Sequence, residues 1–284
     1  MITNPNVKIN LGLNVLRKRD DGFHDLETLF VPYMGISDTL EIVVGDDYSR
    51  TSSAIFGKYA PEMIAQGISE DGKLMITIAR KEGVDWDPLK DLTAKAYQIL
   101  SEDFQLPPVK IFLEKTSPVG AGLGGGSSDA AFALKMLNEL CGLGLSEPLL
   151  ASYAARLGSD CAFFIYNRPM IGEGRGEILS EIASDFMDGI YAGYDLQVLT
   201  PEGIAVSTKD AYGGIRPHLP EVALRDALRL PVEEWDGVLV NDFEETVFAK
   251  YPELAAIKRS LYDSGAVYAS MSGSGSALFA LYRH

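Results

Sequence analysis

Three observations in the 284-residue sequence predict an α+β fold. Its first apolar stretch alternates with a two-residue period. A strand-like run near the middle feeds a glycine-rich loop and then an alanine-rich helix. The C-terminal end reads as strand, glycine-serine turn, strand.

Val7, Ile9, Leu11, Leu13 and Val15 project one way, and Lys8, Asn10, Gly12 and Asn14 the other. Val7–Val15 therefore predicts a half-buried strand whose second face carries a cation and amides. Asp21-Gly22 marks a turn, and Phe23–Phe30 the returning strand of a hairpin. Asp38–Val44 and Lys73–Ile78 predict two more strands. Leu92, Ala96 and Ile99 share helical spacing, so Asp91–Leu100 predicts a helix. Val109–Lys115 is strand-like and leads into the glycine loop. Ser146, with Pro148 in the first turn, starts another helix that Gly158 is placed to end. Tyr191–Leu199 predicts a strand; Asn241–Lys250 and Pro252–Ser264 predict helices, the second closed by Gly265. A domain boundary is expected near residues 153–158, dividing 1–155 from 156–284.

With 25 Lys+Arg against 40 Asp+Glu, the net charge is −15. That excludes broad electrostatic capture of nucleic acid, which needs clustered cations. A 46% apolar content excludes a disordered acidic chain. Lys8 and Asn10 interrupt the N-terminal apolar stretch, so no signal peptide is expected, and no run is long enough for a membrane helix. Cys141 and Cys161 sit among apolar residues and read as buried thiols of a reducing compartment. Three histidines, His24, His218 and His284, argue against a multi-histidine metal site. The expectation is a cytoplasmic protein without nucleic-acid or membrane partners. Positive potential for any anionic ligand has to be made locally.

Pro118-Val119-Gly120-Ala121-Gly122-Leu123-Gly124-Gly125-Gly126-Ser127-Ser128 carries the strongest chemical signal. Glycines let backbone amides approach a ligand, and a helix start adds unpaired N–H groups and a favourable dipole. Together they predict a nest for phosphate oxygens, with two serine hydroxyls beside it. The alternative is a flexible loop whose serines cap the helix. The Walker pattern fails because Gly126, not lysine, precedes Ser127. Gly120, Gly122 and Gly125 match a dinucleotide spacing, but the acid at that distance, Glu147, sits just after a helix cap rather than at a strand end.

Lys8 is the leading candidate for a cation at the transferred phosphate, since Asn10 and Gly12 share its face and leave room for a ligand. Asp160 enters a strongly apolar run, where an acid needs a partner or caps the next element. Phe23 and His24 pair an aromatic face with a ring donor that suits a nucleobase, or else serve packing and surface. Arg175, in the Gly172–Gly176 loop, is an anion contact or a solvated turn residue.

These motifs resemble the GHMP small-molecule kinases. Pro118–Ser128 is similar to their P-x-x-x-G-L-G-S-S loop in an expanded-glycine form. Val7–Val15 and Met271–Tyr282 resemble the family's first and third motifs. Within the family, Lys8-Ile-Asn-Leu11 followed by Arg19-Asp-Asp-Gly-Phe-His-Asp-Leu26 is similar to the branch acting on 4-diphosphocytidyl-2-C-methyl-D-erythritol. The resemblance runs from Val7 to Tyr282 and implies two α+β domains with the active site in the cleft between them. It implies an ATP-binding part, 1–155, and a substrate-side part, 156–284. The catalytic pair falls on Lys8 and on Asp160 of Leu157-Gly-Ser-Asp160. Pro118–Ser128 would bind ATP, with Mg²⁺ bridging its phosphates on ligands the motifs do not name. Asn10, Phe23, His24 and Thr208 match substrate positions. Phe23 stands where tyrosine is common, and Asp91 where asparagine often lies near the adenine. A kinase for homoserine or mevalonate, or a catalytically dead nucleotide-binding regulator, are the alternatives. Oligomeric state is not legible.

Overall fold

The structure, a computed structural model, describes residues 1–284. Its strands in chain order are β1 (Ile2–Thr3), β2 (Asn6–Lys18), β3 (His24–Ser37), β4 (Thr39–Val44), β5 (Ile64–Ile68), β6 (Leu74–Arg80), β7 (Val109–Lys115), β8 (Met170–Gly174), β9 (Ile178–Glu181), β10 (Tyr194–Leu199), β11 (Ala266–Met271) and β12 (Leu278–Arg283). The helices are α1 (Thr51–Lys58), α2 (Leu92–Ser101), α3 (Gly125–Leu140), α4 (Glu147–Leu157), α5 (Cys161–Tyr166), α6 (Phe186–Tyr191), α7 (Thr208–Gly213), α8 (Leu224–Ala227), α9 (Phe243–Lys250) and α10 (Pro252–Asp263). The fold is α+β, as the sequence predicts.

Packing divides the chain into two units that do not follow chain order. Unit 1 gathers Met1–Val7, Tyr33–Val119 and Gly124–Asn167; unit 2 gathers Lys8–Pro32, Gly120–Leu123 and Arg168–His284. Unit 1 is built on a five-stranded sheet of order β1-β4-β7-β6-β5, in which β6 and β7 run parallel and β4 and β7 antiparallel. Ile42, Ile76, Ile78, Ile111 and Leu113 are fully buried within it. Both faces are covered, which is why β6 and the centre of β7, Ile111–Leu113, are apolar and buried on both faces. Ile55 of α1 packs with Val43, Ala79 and Phe112, and α2 and α3 lie against β6 and β4. Helices α4 and α5 pack onto α3.

Unit 2 holds a four-stranded sheet, β2-β3-β8-β9, and a three-stranded sheet, β10-β12-β11. Its core joins Leu13 and Val15 of β2 to Phe243, Val247, Leu254, Met271 and Leu278.

Several expectations need correction. The polar face of β2 is not half-exposed: Lys8, Asn10 and Asn14 are 3%, 3% and 5% exposed. Both faces are packed, so these groups find partners inside the protein. The Gly172–Gly176 stretch is not a loop until its last residues. Gly172 belongs to β8, opposite Thr28 of β3, where a Cβ would lie 2.3 Å from the Phe30 ring. Tyr191 ends α6, and the strand expected from it begins at Tyr194. The apolar run after Asp160 is a helix, α5, with Cys161–Ile165 all buried.

Candidate active site

The glycine loop forms because three of its glycines take a conformation closed to most residues. Gly120, Gly122 and Gly124 have φ of 73°, 76° and 71°. Gly124 is the N-cap, so α3 starts at Gly125, and Ser127 and Ser128 lie inside its first turn instead of capping it. The first amides of α3, from Gly125 to Ser127, have no carbonyl partner within the helix and carry the positive end of its dipole. Val119, Gly120 and Gly126 are exposed. Burial pushes the Cys161 thiol up to about 12, with Ser127 opposing the shift. The buried Ser128 Oγ has no protein partner.

In unit 2 the loop tip meets β2. The Lys8 amide donates to Leu123 O at 2.9 Å, and Lys8 Nζ donates to Gly122 O at 3.0 Å and to Asn10 Oδ1. The ammonium also lies 5.4 Å from the Phe30 ring centroid. Asn10 Nδ2 donates to Thr28 Oγ1 at 3.1 Å, which fixes the amide's orientation and turns Oδ1 to Lys8. The terminal glycine-serine turn closes on the same place. Ser272 Oγ donates to Gly122 O at 3.1 Å and accepts from the Asn10 backbone N–H at 3.2 Å. The approach is so close that a Cβ on Gly122 would fall 2.1 Å from Ser272 O. Asn241 Nδ2 holds the turn by donating to Met271 O and Gly273 O at 2.7 and 2.9 Å. Nothing local in the sequence marks Asn241, whose partners lie 30 and 32 positions away.

The hairpin tip is also fixed. Arg19 pairs with Asp21 and Asp25, and Asp21 Oδ1 accepts the Phe23 amide at 3.1 Å. Phe23 is 52% exposed, with the Arg175 guanidinium 5.0 Å over its ring. Arg175 thus sits in a turn, half-buried against an aromatic face. The His24 ring stacks on Tyr212 at 4.8 Å and 22°. Burial, and then Lys18, lower its pKa. Thr208 is exposed at the start of α7, four residues before Tyr212, so the two share a helix face. Nothing in the sequence marks Tyr212, because a lone tyrosine in a polar stretch carries no signal.

Lys8, Asn10, Phe23, His24, Thr208 and Gly120–Leu123 thus belong to unit 2. Pro118, Val119, Gly124–Ser128 and Asp160 belong to unit 1. Asp160 stands at the N-cap position of α5 but makes no capping bond to it. Asp91 does cap: its Oδ1 accepts from the Thr93 amide and hydroxyl at 2.9 and 2.6 Å, and its Oδ2 from Trp86 Nε1 at 3.0 Å. The acid that departs from the family's asparagine is therefore engaged in ending a loop and starting α2.

Comparison with known proteins agrees with these motifs. The family described as "GHMP kinases N terminal domain" matches residues 91–168, and "GHMP kinases C terminal" matches 225–284. The 4-diphosphocytidyl-2-C-methyl-D-erythritol kinase of Bacteroides fragilis is 45% identical over 99% of this chain and 92% of its own. The chain belongs to this family of GHMP kinases. A crystal structure of a 4-(cytidine 5'-diphospho)-2C-methyl-D-erythritol kinase superposes with a TM-score of 0.72 at 29% identity, covering 99% of this chain and 90% of the other. A mevalonate kinase shares the GHMP fold at 12% identity and a TM-score of 0.59, covering 99% and 91%.

Proposed function

We propose that this kinase transfers the γ-phosphoryl group of ATP to the 2-hydroxyl of 4-diphosphocytidyl-2-C-methyl-D-erythritol, in the non-mevalonate isoprenoid route. The observation that carries this reading is the 45% identity, over nearly the whole of both chains, to a kinase named for that substrate. The homoserine and mevalonate readings have only a shared fold behind them.

Phosphoryl transfer depends mainly on positioning and charge stabilisation. The amides from Gly124 to Ser127 bind the ATP phosphates, and Pro118–Leu123 shape the approach to them. Mg²⁺ enters with the nucleotide as part of the substrate. Ser128, whose buried Oγ has no protein partner, would offer that ion a hydroxyl ligand. Asp160 takes the proton from the 2-hydroxyl as that oxygen bonds to the γ-phosphorus and the bond to ADP breaks. Lys8 supplies positive charge at the transferred group, oriented by Asn10 and the Gly122 carbonyl. Phe23, His24 and Thr208 hold the cytidine end, where Tyr212 adds a second ring to His24. Local cations and amides do the work that a net charge of −15 cannot.

No helix is long and apolar enough to cross a membrane. A cytoplasmic location supplies ATP and keeps the free thiols Cys141 and Cys161 reduced. An ADP-release assay over a panel of alcohols tests the assignment: the cytidylated substrate is expected to turn over, and preference for homoserine or mevalonate would overturn it. Asp160→Asn is expected to bind ATP but lose about 10²–10⁴-fold in kcat, the usual share of a general base. Near-normal turnover would remove Asp160 from the mechanism.

A further inference from the structure

Beneath the start of α3 lies an ion cluster that none of the motifs above includes. Lys115 Nζ, at the end of β7, lies 2.5 Å from Asp38 Oδ2, 2.6 Å from Asp129 Oδ2 and 3.2 Å from Ser117 Oγ. Lys115 is 5% exposed and the two carboxylates 1% each. Asp38 also receives the Thr116 amide at 2.6 Å, the Ser117 amide at 2.7 Å and the Ser117 hydroxyl at 2.6 Å. The glycine loop leaves Ser117 and returns as α3, of which Asp129 is the fifth residue. Its entry is therefore fastened by Asp38 and its exit by Asp129, and one lysine joins the two.

Gly125 shows how closely the helix start rests on this cluster. A Cβ there would lie 2.5 Å from Ser117 Oγ and 3.4 Å from Lys115 Nζ. Burial works against the charged form of Lys115, but Asp129 and Asp38 outweigh it and raise its pKa, so the lysine stays protonated. Burying charged groups is a poor way to gain stability, because apolar side chains of similar volume often do as well. What the ions add is direction: each bond holds a named backbone segment in one place.

We propose that Asp38, Lys115 and Asp129 are positioning residues that clamp both ends of the glycine loop and so set the amides that bind the ATP phosphates. This inference rests on the reading of the loop as the phosphate site. Asp129 is the member to change, because its Oδ1 has no partner and its removal leaves the Lys115–Asp38 pair in place. Misplacement of a substrate group by an ångström costs about 10²-fold in rate. Asp129→Ala is therefore expected to lose about 10²-fold in kcat/KM for ATP while the KM for the cytidylated alcohol stays unchanged. Asp129→Asn keeps a neutral acceptor for Lys115 and is expected to recover to a loss of roughly tenfold, a charge-assisted bond being about twice as strong as a neutral one.

Both variants should be checked by circular dichroism and thermal melting, and the asparagine variant carries the test if the alanine variant does not fold. A folded variant with the parent's kcat/KM for ATP would overturn the clamp. An equal fall for both substrates, tracking a lower melting temperature, would also overturn it. Gly122→Ala, in the loop itself, separates the two ideas. If it impairs ATP use and the Asp129 variants do not, the clamp alone fails; if none of them impairs ATP use, the loop reading fails with it.

Discussion

Lys8 Nζ donates to the carbonyl oxygen of Gly122 at 3.0 Å, so the proposed phosphate cation is tied to the tip of the glycine loop. The same carbonyl accepts from Ser272 Oγ at 3.1 Å. One backbone oxygen thereby gathers the family's first, second and third motifs, which lie more than 100 residues apart in sequence.

Lys8→Met should keep the strand packed, because the stem is buried and Met matches its shape. It removes the charge and is expected to lower kcat by about 10²–10³-fold, the usual loss for one group that stabilises transition-state charge. Single-turnover ADP release against nucleotide titration checks whether the loss falls on chemistry rather than on binding.

Gly122→Ala sets a Cβ against Ser272 O at a φ of +76°. Neither the backbone oxygen nor the turn behind it can yield cheaply. A loss on the order of 1–3 kcal/mol is expected from backbone strain, more if the Ser272 turn separates, and urea unfolding measures it.

Asp91→Ala removes the cap of α2 and the acceptor for Trp86 Nε1. The expected cost is about 1 kcal/mol, the usual value for an N-cap. A shift in indole fluorescence should accompany it, since Trp86 loses its partner. A Trp86 emission unchanged in the folded variant would show that the bond is not made.

His24 titrates below the ordinary histidine value of 6.5, because burial and then Lys18 disfavour the imidazolium. The unfolded chain therefore binds a proton before the folded one does. Stability from this group is complete above 6.5 and falls as the pH drops from there through the lower folded value. NMR titration of the ring should give a midpoint below 6.5, and Tyr212→Ala, which uncovers one face, should move it back toward 6.5.

Much of the fold was legible because local chemistry marks it. Alternation announced β2, Asp21-Gly22 the hairpin, and the glycine run the loop before α3. Strand β8 reads as a loop in the sequence because Gly172 looks like a turn residue; only the Phe30 ring across the sheet explains it. Likewise α5 gave no periodic signal, since a short helix buried all round has no polar face. The burial of Lys8 and Asn10 is not legible in the sequence because alternation cannot say what covers the second face of a strand. Of the site, the motif residues could be named in advance, but Tyr212, Asn241 and the Asp38–Lys115–Asp129 cluster could not.

By itself the sequence determined what depends on neighbouring residues: where the backbone must turn with positive φ, where a helix starts, which stretches alternate, and which motif classes are present. Tertiary structure decided which distant stretches share a unit, and so which groups meet. The chain changes unit at 7/8, 32/33, 119/120, 123/124 and 167/168, an interleaving that a single linear boundary does not describe. The physical reason is the range of the forces involved. Backbone conformation is set within a few residues, whereas burial and ion pairing depend on what packs alongside, which no local pattern encodes.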